Sequence, residues 1–388
     1  MASHPTPVRE AIDHHRRELD SNPVLYIVSH EQDFAHKARA AAAEYLDMDD
    51  PEQIALTDST TMGLGTIYTG LNIQNGQEIL TNEHNYFAQQ EAIKEATLRT
   101  GATFREVHYY DNIDEVTEDE LVHNVIKEVT DRTRVVGATW VHSNTGLKSP
   151  IGKLSRELAK INEHRDEENK VLLVVDGVHG FGIERDSFEE LGCDFLIAGC
   201  HKWLYGPRGT GIVAGTPAGW QNVRPVIPSF SEVMWRIIRG GQQPERVTGP
   251  HMSPGGFHSL EHTWSLPSAF EFVKTLGGKD RIYQRVHELN RLCKEGLASM
   301  PHVKLATPLD DNLSAGIIAF EVKGMSVHDV VQHLVNKKNH RHRSTVRQKL
   351  RALHARNLQH AERNRDRFGR GEFFEIDAYI EKLLQSPR

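Results

Sequence analysis

Gly199-Cys200-His201-Lys202-Trp203 follows an apolar run, Cys193-Asp194-Phe195-Leu196-Ile197-Ala198, and precedes a glycine-rich turn, Gly206-Pro207-Arg208-Gly209-Thr210-Gly211. The run reads as a buried strand, so Lys202 falls just past a strand end. A lysine among small residues and aromatic walls can have its ammonium desolvated and its pKa lowered. Such an amine can attack an aldehyde and form a Schiff base. By itself the signal is weak, because most lysines at such places are ordinary surface residues.

A second stretch lies just upstream, Val171-Leu172-Leu173-Val174-Val175-Asp176-Gly177-Val178-His179-Gly180. It reads as a buried parallel strand ending in an acid and a turn. Asp176 can pair with a protonated pyridine nitrogen, which makes that ring an electron sink. His179 can hydrogen-bond the ring's phenolic oxygen. The plainer reading of Asp176 is a cap for the following helix. However, Asp-x-x-His and His-Lys stand in order, about twenty-five residues apart, each after an apolar strand.

That pairing resembles the class V aminotransferase family, pyridoxal 5'-phosphate (PLP) enzymes of fold type I, and within it the isopenicillin N epimerase-like subgroup. The resemblance runs from about residue 5 to about residue 325. It implies an α/β fold: a large domain with a mainly parallel, seven-stranded-type sheet between helices, and a smaller α+β C-terminal domain. It also implies PLP as cofactor, an amino acid or amino-acid derivative as substrate, and a homodimer. Family members begin with a short glycine-containing strand beside the active site. No such strand is found here, so residues 1–35 are expected to be an N-terminal segment truncated relative to the family.

The chain between these points supports the same frame. Residues 7–19 and 33–46 are predicted helices, the second rich in alanine. Residues 53–57 read as a strand leading into Asp58-Ser59-Thr60-Thr61-Met62-Gly63. Small hydroxyl residues at a strand-to-helix turn can bind a phosphate in the field of the helix N-terminus, although plain N-capping explains them too. By resemblance this turn is the phosphate cup, with Thr60, Thr61 and His201 as donors. After the strand at residues 78–81 come His84 and Tyr86, either of which can stack on a flat heterocycle; His84 is the preferred candidate. After the strand at residues 134–141, Ser143 and Asn144 resemble the family's loop beneath the cofactor, and His142 is a weaker candidate.

Strand and helix alternate from about residue 50 to about residue 215, which implies a mainly parallel sheet with helices on both faces. Ligands of such sheets sit at the strands' C-terminal ends. Nearly all these candidates lie there; His201 and Lys202 occupy a short loop just beyond one. The large domain is assigned to residues 36–250 and the small one to residues 251–388. In the small domain, residues 267–276 and 279–300 read as helices, residues 303–305 and 316–322 as strands, and residues 326–334 as a helix. By resemblance, the Gly/Pro loop at residues 248–258 reaches towards a neighbouring subunit's cofactor.

Composition narrows the classes. The 388 residues are 38% hydrophobic and carry 46 basic and 53 acidic side chains, a net charge of −7. That argues against nucleic acid as the main partner. Three cysteines without paired spacing argue against a disulfide framework or zinc site, and the 23 histidines are scattered, so no metal is expected. No apolar run is long enough for a membrane span, and the first residues lack a signal-peptide core, so a cytoplasmic setting is expected. Cysteine desulfurase chemistry is disfavoured. Its relatives need a reactive cysteine on a late loop, whereas Cys193 and Cys200 flank the lysine strand and Cys293 lies in a helical stretch.

The pattern breaks at residues 337–370, which hold 12 Lys/Arg against 2 Asp/Glu and leave the remainder of the chain at −17. One reading is a solvated basic helix, with a nucleic-acid arm second. The family instead places a substrate-clamping arginine here, in a motif such as Y-A-R-x-x-P-x-x-x-N-T. Codons for residues 350–367 can be chosen that, shifted by one nucleotide, encode a peptide of that pattern. Residues 338–370 are therefore expected to be a frame-shifted segment. Loss of that arginine motivates the alternative function, a catalytically impaired or non-catalytic PLP-fold relative. The main reading is a PLP enzyme whose Lys202 holds the cofactor, with racemisation or epimerisation, transamination and C–S elimination all open.

Overall fold

The computed structural model describes residues 2–242 and 246–339. Seven strands form one sheet: β1 (Ile54–Thr57), β2 (Glu78–Asn82), β3 (Thr103–Val107), β4 (Thr133–Thr139), β5 (Leu172–Asp176), β6 (Phe195–Gly199) and β7 (Gly211–Gly215). Their order is β1-β7-β6-β5-β4-β2-β3. Neighbours from β6 to β3 pair in parallel, and β7 runs antiparallel to both β6 and β1. The single reversal comes from the short glycine-rich turn after Lys202, which is too brief for the crossover a parallel partner needs.

Strand side chains alternate between two apolar cores. Leu173 and Val175 of β5, Leu196 and Ala198 of β6, and Val136 and Ala138 of β4 enter one core. Leu172, Val174, Phe195, Ile197 and Val135 enter the other. Residues buried on both faces explain the unbroken apolar runs seen in the sequence. The second core packs against helices Thr60–Gly70 and Phe87–Thr100. The first takes in Val8 and Ile12, Ala38 and Ala42, Leu154 and Leu158, then Phe270, Val286 and Ile317. Helices Leu266–Thr275 and Gly278–Ala298 are thus tied to the sheet by a continuous core. A small antiparallel pair, β8 (Val303–Leu305) and β9 (Phe320–Val322), and helix Val327–Asn339 follow.

Two expectations shift. The helix predicted over residues 33–46 spans Pro23–Tyr45, because the Asn22 side chain accepts the Leu25 N–H and Pro23 occupies the first turn. It runs unbroken through residues 35 and 36, where the N-terminal segment was expected to end. The strand predicted over residues 316–322 narrows to β9. Ile317 and Ala319 are fully buried, and of the two only Ala319, whose carbonyl accepts the Ala306 N–H at 2.8 Å, extends the β8–β9 pairing. Ile317 O accepts Asn290 Nδ2, and Ala319 N donates to Thr307 Oγ1 at 2.7 Å. The apolarity of Ile317 reflects burial rather than a ladder. Among the described residues no helix is long and apolar enough to cross a membrane. The basic and frame-shift readings of residues 338–370 lie almost wholly outside the described residues.

Candidate active site

β6, β5, β4 and β2 lie side by side, so their C-terminal ends form one rim. Asp176 ends β5 and is 1% exposed. Its Oδ1 accepts the Val178 N–H at 3.0 Å. Burial pushes its pKa up, the Val178 bond and the Lys202 charge oppose that, and the balance is about 6. The turn beyond it closes through Gly180 N–H and Phe181 N–H, both donating to Gly177 O, and carries the buried His179 inward. On the neighbouring loop after β6, Lys202 Nζ stands 2.7 Å from His179 Nε2. Trp203 Nε1 donates to the other ring nitrogen, His179 Nδ1, at 3.3 Å. Burial, then the Lys202 charge, holds the His179 pKa well below its ordinary value. The structure therefore brings Asp176, His179 and Lys202 together.

Thr60 and Thr61 open helix Thr60–Gly70, capped by Ser59, whose Oγ accepts the Met62 N–H at 3.1 Å. First-turn N–H groups of a helix have no partner within it. Thr60 Oγ1 is buried and has no hydrogen-bond partner among the described residues. Thr61 is exposed. A Cβ placed on Gly199 would lie 3.0 Å from both Thr60 Oγ1 and the His201 ring, so this glycine keeps a cleft open between them. Burial first, and then the Lys202 charge, lowers the His201 pKa to about 4, leaving a neutral ring at neutral pH. Ala2 N donates to His201 O at 3.0 Å, so the first described residues run along this loop.

Past β2, the His84 ring stacks on Tyr110, with centroids 4.6 Å apart and planes 16° apart. Tyr86 is 49% exposed and packs on Phe87. His142 is fully buried. Its Nδ1 bonds His84 O at 3.2 Å and its Nε2 bonds Ser149 Oγ at 3.3 Å, while burial drives its pKa down to about 3. It supports the His84 backbone. Ser143 and Asn144 sit half-buried in the turn closed by His142 N and Leu147 O, and Asn144 Oδ1 is buried without a partner among the described residues.

Three features escaped the sequence reading. Trp203 was legible only as a wall beside the lysine; residues 102–110 read as one strand, whereas β3 stops at Val107 and Tyr110 lies in the loop beyond it. The third is a buried cluster: Glu184 accepts from Lys148 Nζ at 3.1 Å and pairs with His287 Nε2 at 2.8 Å. The Glu184 side chain is wholly buried, and its partners come from the loop after β4 and from helix Gly278–Ala298.

These residues fit PLP. A buried carboxylate raised to about 6 favours a cationic N–H against it. The orphaned Thr60 hydroxyl and the cleft at Gly199 suit an anion at a helix N-terminus. Fold and site together define a PLP enzyme of fold type I. The model of the aminotransferase class-V family matches residues 2–343, and the chain belongs to that family.

The chain is 24% identical to isopenicillin N epimerase of Streptomyces clavuligerus, over 82% of this chain and 78% of that protein. It is 25% identical to a probable cysteine desulfurase of Halalkalibacterium halodurans, over 84% and 77%. A mutant of C-DES with glycine covalently linked to its PLP cofactor shares the fold at a TM-score of 0.76, with 22% identity over 86% of this chain and 85% of that one. The apo cysteine desulfurase of Thermococcus onnurineus NA1 does so at 0.71, with 19% identity over 87% and 80%. Membership in this family of PLP-dependent enzymes favours catalysis over the non-catalytic alternative.

Proposed function

We propose that this chain acts on an amino acid or a close derivative, with Lys202 as the catalytic residue. The observation that carries the reading is the 2.7 Å contact between Lys202 Nζ and His179 Nε2, beside the strand that ends in Asp176. Bound PLP supplies an electron sink for charge developing next to the substrate amino group. Lys202 holds the cofactor and, once freed, moves the substrate proton at Nζ. Asp176 keeps a proton on the pyridine nitrogen. His179 donates towards the phenolic oxygen. Thr60, Thr61 and His201 hold the phosphate. His84, backed by Tyr110, covers the ring, and its partly buried stack suits this role better than the exposed Tyr86. Ser143 and Asn144 reach the ring edge or the substrate.

The cysteines bear on the reaction type. Cys193 and Cys200 are fully buried, and burial pushes the Cys200 thiol up to about 12. Cys293 lies half-buried on helix Gly278–Ala298, and burial raises its pKa too. A thiol kept protonated is a poor nucleophile. This favours proton transfer, amino transfer or elimination at the substrate over sulfur transfer to a cysteine of the chain. Spectral titration of the PLP-loaded protein with a panel of amino acids, cysteine and cystine included, tests the reading. At least one should change the cofactor spectrum; silence across the panel with PLP bound contradicts it.

The same reading includes the two-part organisation around residue 250, a homodimer and a cytoplasmic setting. The exposed apolar residues Val24, Leu25, Val28, Phe230 and Phe257 support the dimer, and three unpaired cysteines support a reducing compartment. Sedimentation and cell fractionation check the last two: a monomer mass or a secreted protein would remove them.

A further inference from the structure

We propose that Trp203 is a positioning residue that fixes the His179 proton on Nε2, the nitrogen facing Lys202. The argument is an accounting of protons around one ring. An indole N–H is a donor only. Trp203 Nε1 aims its hydrogen at His179 Nδ1 at 3.3 Å, so Nδ1 must offer a lone pair. A neutral imidazole carries a single proton, which then belongs to Nε2. Burial holds His179 in that neutral form at neutral pH. Nε2 is 2.7 Å from Lys202 Nζ, whose charge makes it a competing donor, so the lysine and the indole pull the ring towards opposite tautomers and the indole is the one proposed to prevail.

The indole is held firmly enough to impose this choice. Trp203 is 7% exposed, in the core beside Ile183 and Leu204. A Cβ on Gly316 would fall 2.9 Å from its Cη2, so Gly316 leaves the space the ring occupies. Gly316 belongs to the buried stretch that also presents Ile317 O to Asn290. The small C-terminal part of the fold therefore sets the indole, and the indole sets the ring that faces the lysine.

The inference rests on the functional reading in one respect: the proton on Nε2 is the one offered to the cofactor's phenolic oxygen. The tautomer itself can be read without cofactor. Nitrogen chemical shifts of isotope-labelled histidine in the full chain, with His179 assigned by loss of its signal in His179→Gln, report which ring nitrogen is protonated. The expected result is Nε2–H in the wild type and a mixed or Nδ1–H population in Trp203→Phe. A benzothienylalanine at position 203, which keeps the bicyclic shape without the N–H, should shift the tautomer the same way; this separates the hydrogen bond from packing if Trp203→Phe folds poorly. A wild-type ring protonated on Nδ1, or an Nε2–H signal unmoved in the benzothienylalanine protein, overturns the proposal. Failure to load PLP with the Nε2–H signal intact would instead contradict the functional reading and leave this one standing.

Discussion

Asp176 is an acid stored where water cannot reach it. Its pKa of about 6 in the folded chain stands above the ordinary 3.8, so the native state binds the proton more tightly than the unfolded state does. The stability this contributes is full below about pH 4 and is lost as pH rises through 6, with a total near 3 kcal/mol at 1.36 kcal/mol per unit. In the cofactor-free protein, the stability of wild type relative to Asp176→Asn should therefore fall from pH 4 to pH 6 and level off above. Urea unfolding at a series of pH values measures it, and a flat difference would show that the carboxylate is solvated. Asp176, His179 and Lys202 were legible because each follows an apolar run that must end at a sheet edge. Trp203 was not, because the sequence does not show which neighbour an indole N–H meets. The spacing of His84 and Tyr86 left their choice open; the stack on Tyr110 comes from the loop after β3, the strand that lies beside β2 in the sheet.

At the scale of elements, the loop after β4 does more than edge the site. Gly146 has φ +69°, and a Cβ there would lie 2.3 Å from Ile317 O. Lys148 N donates to Leu313 O, and Thr307 Oγ1 donates to Thr145 O at 2.5 Å. The same loop sends Lys148 to Glu184, which also holds His287. Burial lowers the Lys148 pKa, but the Glu184 charge and hydrogen bond outweigh it and leave the ammonium favoured. Removing the carboxylate strands a buried cation, which costs roughly 3–5 kcal/mol. Glu184→Ala should lose about that much in urea unfolding; a loss within experimental error would mean the cluster is hydrated and carries no load. None of this was readable from the sequence. Lys148, Glu184 and His287 are far apart along the chain, and no periodicity marks a pair that forms only when helix Gly278–Ala298 docks. For a similar reason residues 316–319 looked like a strand: burial and strand pairing write the same apolar pattern.

For the whole molecule, the alternation of strands and helices was enough to foresee a parallel sheet with its ligand at the C-terminal rim, because crossover connections leave few other arrangements. It was not enough to place the continuous core that runs from Val8 to Ile317, since those contacts join segments with no local signature in common. The account turns on a single amine at the centre of that rim. Borohydride reduction of the PLP-loaded protein, followed by peptide mass mapping, tests it most directly. The account expects one pyridoxyl phosphate adduct per chain, on Lys202, and none on any residue in Lys202→Ala. An adduct on a different lysine, or one that persists in Lys202→Ala, would contradict it.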